Sequence, residues 1–234
     1  MKKLSYTILA AVLMVATTLK ASAQSTESRQ VSGYNKIGSG GPFEVHVKID
    51  GTESLKIKAE ADVIKEIETV VKDGTLQIKF KHHENWGDHN YGPIEVYVTA
   101  KSLSALANAG SGSIKLDGNL TGSNVNISLS GSGNVTAAVK GGDFHAAISG
   151  SGSIDVKGSA DKTNVSISGS GDLQGRNFKT ETAHVSIAGS GNARFGADKT
   201  VSASIVGSGN VVYSGTASIT DSRTVGSGRV SHED

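Results

Sequence analysis

The chain has 234 residues, a formal net charge of +1, 30 glycines and two prolines. It has no cysteine, which excludes disulfides and an anchor on a lipid-modified cysteine. With 23 basic and 22 acidic residues, it has no charge excess that would gather nucleic acid or an anionic membrane surface.

Residues 1–23 read as a Sec signal peptide, cut before Gln24. Lys2 and Lys3 form a basic start, Ile8 to Leu19 is mostly apolar with no acidic residue, and Ala21-Ser22-Ala23 supplies small residues for cleavage. The apolar run is short for a membrane-spanning helix, which needs ~20 such residues. No later segment is apolar enough to span a membrane. This predicts an exported chain, placed in the periplasm, on the cell surface or in the medium. Loss of Lys2, Lys3 and Lys20 turns the net charge slightly negative. Residues 24–33 read as a short flexible lead.

Residues 34–109 read as a β-rich part without a strict repeat. Phe43-x-Val45-x-Val47-x-Ile49 alternates, as do Leu55-x-Ile57, Leu76-x-Ile78-x-Phe80 and Ile94-x-Val96-x-Val98. Alternation at period two places one face of a strand in the core and the other in water. Val63, Ile64, Ile67, Val70 and Val71 fit helical spacing, so a short helix or a turn-rich crossover ended by Asp73-Gly74 is expected there. Gly38-Ser39-Gly40 hints at a degenerate form of the repeat that follows.

Between two of these strands lies the densest polar cluster, Lys81 to Gly92. His82, His83, Glu84, Asp88 and His89 are metal-ligating types, but adjacent residues rarely converge on one ion, so no metal is assigned. Trp86 is the chain's single tryptophan, and Tyr91 is near it. Aromatic rings of this kind stack on sugars, which makes His82, His83, Trp86, His89 and Tyr91 a candidate ligand loop. The competing reading is a solvated loop that Trp86 staples to the body of the fold.

Residues 110–234 are dominated by a Gly-Ser-Gly triplet at a nearly fixed interval. Its copies are Gly110-Ser111-Gly112, Gly131-Ser132-Gly133, Gly150-Ser151-Gly152, Gly169-Ser170-Gly171, Gly189-Ser190-Gly191, Gly207-Ser208-Gly209 and Gly226-Ser227-Gly228. Successive spacings are 21, 19, 19, 20, 18 and 19 residues. A period near 20 marks a solenoid whose coils stack in turn. Apolar residues alternate on both sides of each triplet, as in Val125-x-Ile127-x-Leu129 and Val135-x-Ala137. The fold expected is all-β: a narrow parallel β-helix with coils of about 19–20 residues and a side-chain-filled interior. Each corner needs a residue free to take positive φ, or one without Cβ where coils crowd. Stacking would line up the seven serines along one edge. Small differences in coil length would be absorbed at the corners. Asn134, Asn192 and Asn210 could form a partial polar ladder. In the last repeat Ser222 and Thr224 stand at positions that are apolar elsewhere, as suits a terminal coil.

No recurring catalytic group accompanies the triplet. The third glycine of a dinucleotide fingerprint is missing at every copy, and a recurring aspartate, needed by calcium-binding β-rolls, occurs only at Asp172. Asp117, Asp143, Asp155, Asp172 and Asp198 occupy different places relative to their triplets, so no paired carboxylates emerge. Neither a cofactor nor a catalytic residue is assigned.

Several stretches together resemble a known family: Phe43-Glu44-Val45-His46-Val47, the run Ala61 to Ile78, Ile94 to Thr99, and Leu103 to Gly112 leading into the triplets. Their order is similar to the putative auto-transporter adhesin head GIN domain family, over roughly residues 34–220. The resemblance implies a right-handed β-helix-like fold and an envelope or surface location. It implies an adhesin-like role; the regular faces, small polar side chains and near-neutral charge read as a non-catalytic solenoid suited to contact with a glycan or an envelope or surface protein. A polysaccharide-active β-helix enzyme and a ligand-free envelope scaffold are the alternatives.

Overall fold

The computed structural model describes residues 24–81 and 91–233. It is nearly all β, a parallel solenoid of about seven turns. The expected signal peptide lies outside the described residues. Among the described residues no helix is long and apolar enough to cross a membrane.

The solenoid is built from β9 (Ser113–Gly131), β10 (Asn134–Gly150), β11 (Ser153–Gly169), β12 (Asp172–Gly189) and β13 (Asn192–Gly207). Each strand runs from one Gly-Ser-Gly corner to the next, so the less regular stretch between the alternating segments is also extended and paired. β14 (Asn210–Ser214), β15 (Ser218–Gly226) and β16 (Arg229–His232) finish the stack. Neighbours pair in parallel, and the repeats hold register: Val125, Phe144, Val165, Val185 and Ala203 fall within buried columns. Each column of apolar side chains excludes water along the axis, at ~25 cal/mol per Å² of apolar surface buried. One continuous core runs from Tyr34 to Ala217, with Phe43, Phe144, Phe178 and Phe195 as its largest fully buried members.

The two glycines of a corner are required for different reasons. The first has positive φ in every copy, for instance 118° at Gly150 and Gly169. A Cβ on Gly169 would also come within 2.5 Å of the Gly150 carbonyl oxygen, one coil earlier. The second glycine has no such φ but is buried, and a Cβ on Gly191 would lie 2.2 Å from the Gly171 carbonyl oxygen. Backbone bonds close the corner: Ser190 N and Gly191 N both donate to the Gly169 carbonyl, at 2.9 and 3.1 Å. The serine side chains point outward and are exposed in all seven copies. The corner is thus satisfied by serine backbone N–H groups, and the hydroxyl column faces solvent.

The first half follows the same coil logic with a permuted order. β2 (Lys36–Gly40) and β3 (Glu44–Ile49) form one coil, and β8 (Ala105–Gly110) continues into β9 directly above it. The stacked corner is Gly41-Pro42-Phe43 beneath Gly110-Ser111-Gly112, because Gly40 pairs with Ala109 and Glu44 with Ser113. Gly38-Ser39-Gly40 therefore lies within the strand that leads to the corner. Ser39 points into the core there, at 3% exposure. β6 (Thr75–Phe80) and β7 (Glu95–Ala100) form the coil on the other side of β2 and β3.

Three further elements close this end. β4 (Ser54–Glu60) runs antiparallel to β7, and β1 (Gln24–Arg29) antiparallel to β4. The lead over 24–33 is thus a strand through Arg29, where a flexible segment was expected. Arg29 holds it by donating to the carbonyls of Ile67 and Ile64, at 2.6 and 2.9 Å. The helical spacing of Val63 to Val71 gives only α1 (Ala61–Glu66), followed by β5 (Ile67–Lys72). β5 pairs antiparallel with β6 through Asp73-Gly74, with φ of 50° and 71°. Two successive positive-φ residues make the tight hairpin turn that Asp-Gly favours, and the β-branched Thr69-Val70-Val71 prefer the strand. At the other end all nine residues of β15 are exposed.

Candidate functional site

Four strands of the first half lie side by side in one sheet in the order β4, β7, β3, β9. Their alternation buries Leu55, Ile57, Val96, Val98, Val45, Val47, Ile114 and Leu116. The intervening residues face outward and fall into three rows. The central row is Lys56, Tyr97, His46 and Lys115; Lys58, Glu95, Glu44 and Ser113 flank one side, and Ser54, Thr99, Lys48 and Asp117 the other.

Tyr97 is the aromatic centre of this surface. It is 41% exposed, a large value for a ring on a sheet. The His46 ring stacks beside it, with centroids 5.1 Å apart and planes 20° from parallel. The Tyr97 hydroxyl donates to Glu95 Oε2, and Lys58 Nζ pairs with Glu95 at 3.3 Å. The tyrosine hydroxyl and the Lys58 ammonium hold the Glu95 carboxyl below its ordinary range, and the carboxylate raises the Tyr97 hydroxyl. On the other side Ser54 Oγ and Thr99 Oγ1 share a hydrogen bond of 2.8 Å. Tyr97, His46, Ser54 and Thr99, with Lys48, Lys56, Lys115 and Asp117, line a depression of about 440 Å³, within the range of small-ligand sites. A fixed aromatic ring ringed by hydroxyls, ammonium groups and carboxylates is suited to the apolar face and hydroxyl rim of a sugar.

This surface was readable in part. The alternation in Phe43-x-Val45-x-Val47 and Ile94-x-Val96-x-Val98 marked the buried residues, and His46 and Tyr97 occupy the intervening places. An aromatic residue at the outward position of a half-buried strand is the signal that finds Tyr97. The neighbourhood of Tyr97, His46 and Lys56 depends on the order β4-β7-β3, which no local pattern encodes.

Of the proposed ligand loop, His82, His83, Trp86 and His89 lie outside the described residues. Tyr91 is partly buried, its ring centroid 5.0 Å from that of Phe80, which packs at 4.8 Å on the buried Phe43. Tyr91 therefore ties the end of the connection to the Gly41-Pro42-Phe43 corner. Lys79 pairs with Gly40 and Glu95 with Glu44, so the end of β6 and the start of β7 flank the Gly41-Pro42-Phe43 corner.

The triplet residues form the structural corner described above. Next to it, Asp172 Oδ1 accepts from Asn192 N and Nδ2 at 3.0 and 2.8 Å, and Asn192 Oδ1 accepts from Asn210 N and Nδ2 at 3.2 and 3.0 Å. The polar ladder thus includes Asn192 and Asn210 but starts at Asp172, while Asn134 stands beside Ser153. In register, Asp117 stands beside Lys48, Asp143 between Asn124 and Lys162, and Asp155 between Thr136 and Gln174. None of these three adjoins another aspartate in its row. Among the described residues no group of three or more His, Asp or Glu side chains could hold a metal ion.

Comparison with curated proteins finds no match. Among solved structures, a protein described as a "putative adhesin" from Bacteroides fragilis superposes with a TM-score of 0.77 at 21% identity, covering 90% of this chain and 97% of that one. A "putative adhesin" from Parabacteroides distasonis gives 0.71 at 24% identity, with 90% and 97% covered. A "putative lipid binding protein" from the same species gives 0.71 at 23% identity, with the same coverage. These likenesses establish the fold. The profile of one sequence family, described as "putative auto-transporter adhesin, head GIN domain", matches residues 33–217. With six of the seven Gly-Ser-Gly corners, the permuted first coils and most of the chain included in that match, this protein belongs to the head GIN domain family of auto-transporter adhesin-like proteins.

Proposed function

We infer that this chain is a non-catalytic, exported, adhesin-like solenoid that engages a cell-surface or envelope component through the outer face of its first coils. The observation that carries this reading is the Tyr97 ring, exposed and stacked on His46 amid Lys56, Lys115, Ser54 and Thr99. A glycan is the partner this arrangement suits best, because it offers both a stacking face and hydrogen-bonding hydroxyls. Family membership and the adhesin descriptions of the structural neighbours support the adhesin-like role.

The test is a glycan array probed with the purified protein and with Tyr97→Ala. Removal of the ring should abolish a specific hit, since stacked rings contribute ~0.5–1.5 kcal/mol beyond area burial and the side chain also supplies contact area. A blank array, or a hit that Tyr97→Ala leaves intact, contradicts this assignment and directs the search to protein partners.

A further inference from the structure

One of the two largest breaks in the repeat is the change from a 20-residue coil, Gly169 to Gly189, to an 18-residue coil, Gly189 to Gly207. The excess is placed well past the Gly-Ser-Gly corner. Gly175 pairs with Phe195 and the next pair is Lys179 with Gly196, so Arg176, Asn177 and Phe178 have no counterpart in β13. Phe178 turns inward and is fully buried, while Arg176 stays exposed. A bulge of this kind re-aims the side chains beside it. Gly175 permits it, because a Cβ there would lie 2.7 Å from the Arg194 carbonyl oxygen.

Beside the bulge is a groove of about 390 Å³ on the outer face of β12, β13, β14 and β16. Arg176, Arg194 and Arg229 line it, with Gln174, Asn210 and Ser231. One carboxylate, Asp172, lines the groove, and another, Glu233, lies beside it. Asp172 accepts both hydrogen bonds from Asn192, and Glu233 pairs with Arg194 at 3.3 Å. Arg176 and Arg229 are exposed and form no ion pair with a described residue. Two guanidinium groups without an ion pair therefore face a concave surface whose other polar lining is Gln174, Asn192, Asn210, Ser231, Arg194 and the Asp172 carboxylate.

We propose that this groove binds an acidic saccharide. Arg176 and Arg229 hold its carboxylate or sulfate group, and Gln174, Asn210 and Ser231 meet its hydroxyls. A guanidinium presents a planar fork of donors that matches such oxyanions. No exposed aromatic ring lines the groove, so it lacks the stacking platform of single-strand nucleic-acid sites. The arginines form a local cluster and not the extended basic stripe of a nucleic-acid binder. The groove gives the adhesin-like reading a ligand class; it lies farther along the same outer face as Tyr97, separated from the Tyr97 depression by β10 and β11.

The experiment is titration of the purified protein with polygalacturonate, dextran sulfate, unmodified dextran and single-stranded DNA. The protein should bind one of the two acidic polysaccharides, whose comparison separates carboxylate from sulfate, and should not bind dextran. Arg176→Ala with Arg229→Ala should weaken binding about tenfold or more, because the charge-assisted hydrogen bonds of two exposed guanidinium groups are lost. The corresponding lysine variants should restore only part, with melting temperatures unchanged throughout. Tyr97→Ala should leave this binding within about twofold, the range of an independent distant site. Failure to bind either acidic polymer overturns the proposal. So does binding that survives the double arginine variant, or equal binding to DNA. Loss of acidic-polymer binding in Tyr97→Ala alone would place the contact at the Tyr97 depression and overturn it as well, whereas loss of array hits alone would leave this groove standing.

Discussion

At the scale of single residues, glycine and serine of the same triplet are expected to behave oppositely. Gly169→Ala forces a Cβ onto a backbone with φ of 118° and to within 2.5 Å of the Gly150 carbonyl oxygen. It should destabilise the protein by more than ~2 kcal/mol. Ser170→Ala keeps the N–H that donates to Gly150 at 2.9 Å and removes only an exposed hydroxyl, so it should change stability by less than ~0.5 kcal/mol. Urea denaturation of the two variants checks this contrast. Tyr34 supplies a pH-dependent term. Its hydroxyl donates to the Thr99 carbonyl at 2.5 Å, and burial, with the nearby Glu53 charge, pushes its pKa from 10.0 up to about 12. A pKa raised by folding stabilises the native state below the unfolded value and loses that stabilisation as pH rises through the folded value. Stability should therefore fall between about pH 10 and pH 12, and Tyr34→Phe should lack this component in denaturation measured across that range.

At the scale of elements, the solenoid interior includes an aromatic contact that reaches across a coil, from β10 past β11 to β12. Phe144 and Phe178 are fully buried, with ring centroids 5.2 Å apart and planes at 57°. Phe178→Ala should lower stability by ~3–5 kcal/mol, read as a shift in the thermal or denaturant midpoint. Phe178 also shows where local reading reaches its limit. The alternation around it is broken, since the bulge after Gly175 shifts which residues face inward. The uneven spacing of the triplets showed that this coil is longer than the next, but it gave no indication of where the extra residues go. The segment Val63 to Val71 is a similar case. Its apolar spacing suits a helix, yet pairing with β6 and the Asp73-Gly74 turn convert its second half to strand. Tertiary pairing outweighs a weak local preference at such places.

At the scale of the whole molecule, the coil is the unit of both sequence and stability. The Gly-Ser-Gly period and the buried columns were legible because every coil repeats the same constraint. The order of the first half was not, because β2 and β3 lie between two coils that come later in the chain. The Tyr97 surface is made by that permuted order, so its parts were visible and their neighbourhood was not. Since each coil contacts chiefly its neighbours, deletion of residues 132–150 removes one coil and rejoins Gly131 to Ser151 as an intact corner. That variant should fold cooperatively, with a smaller dependence of unfolding free energy on denaturant, as measured by circular dichroism.

The central claim is that the conspicuous repeat builds the solenoid while binding resides on the outward strand faces. The most direct measurement compares glycan-array binding by three forms of the protein: unaltered, Tyr97→Ala, and a triple variant with Ser151, Ser170 and Ser190 each changed to alanine. The account predicts that the triple variant retains the hits of the unaltered protein and that Tyr97→Ala loses them. Loss of binding in the serine variant with retention in Tyr97→Ala would contradict it and place the ligand along the corner.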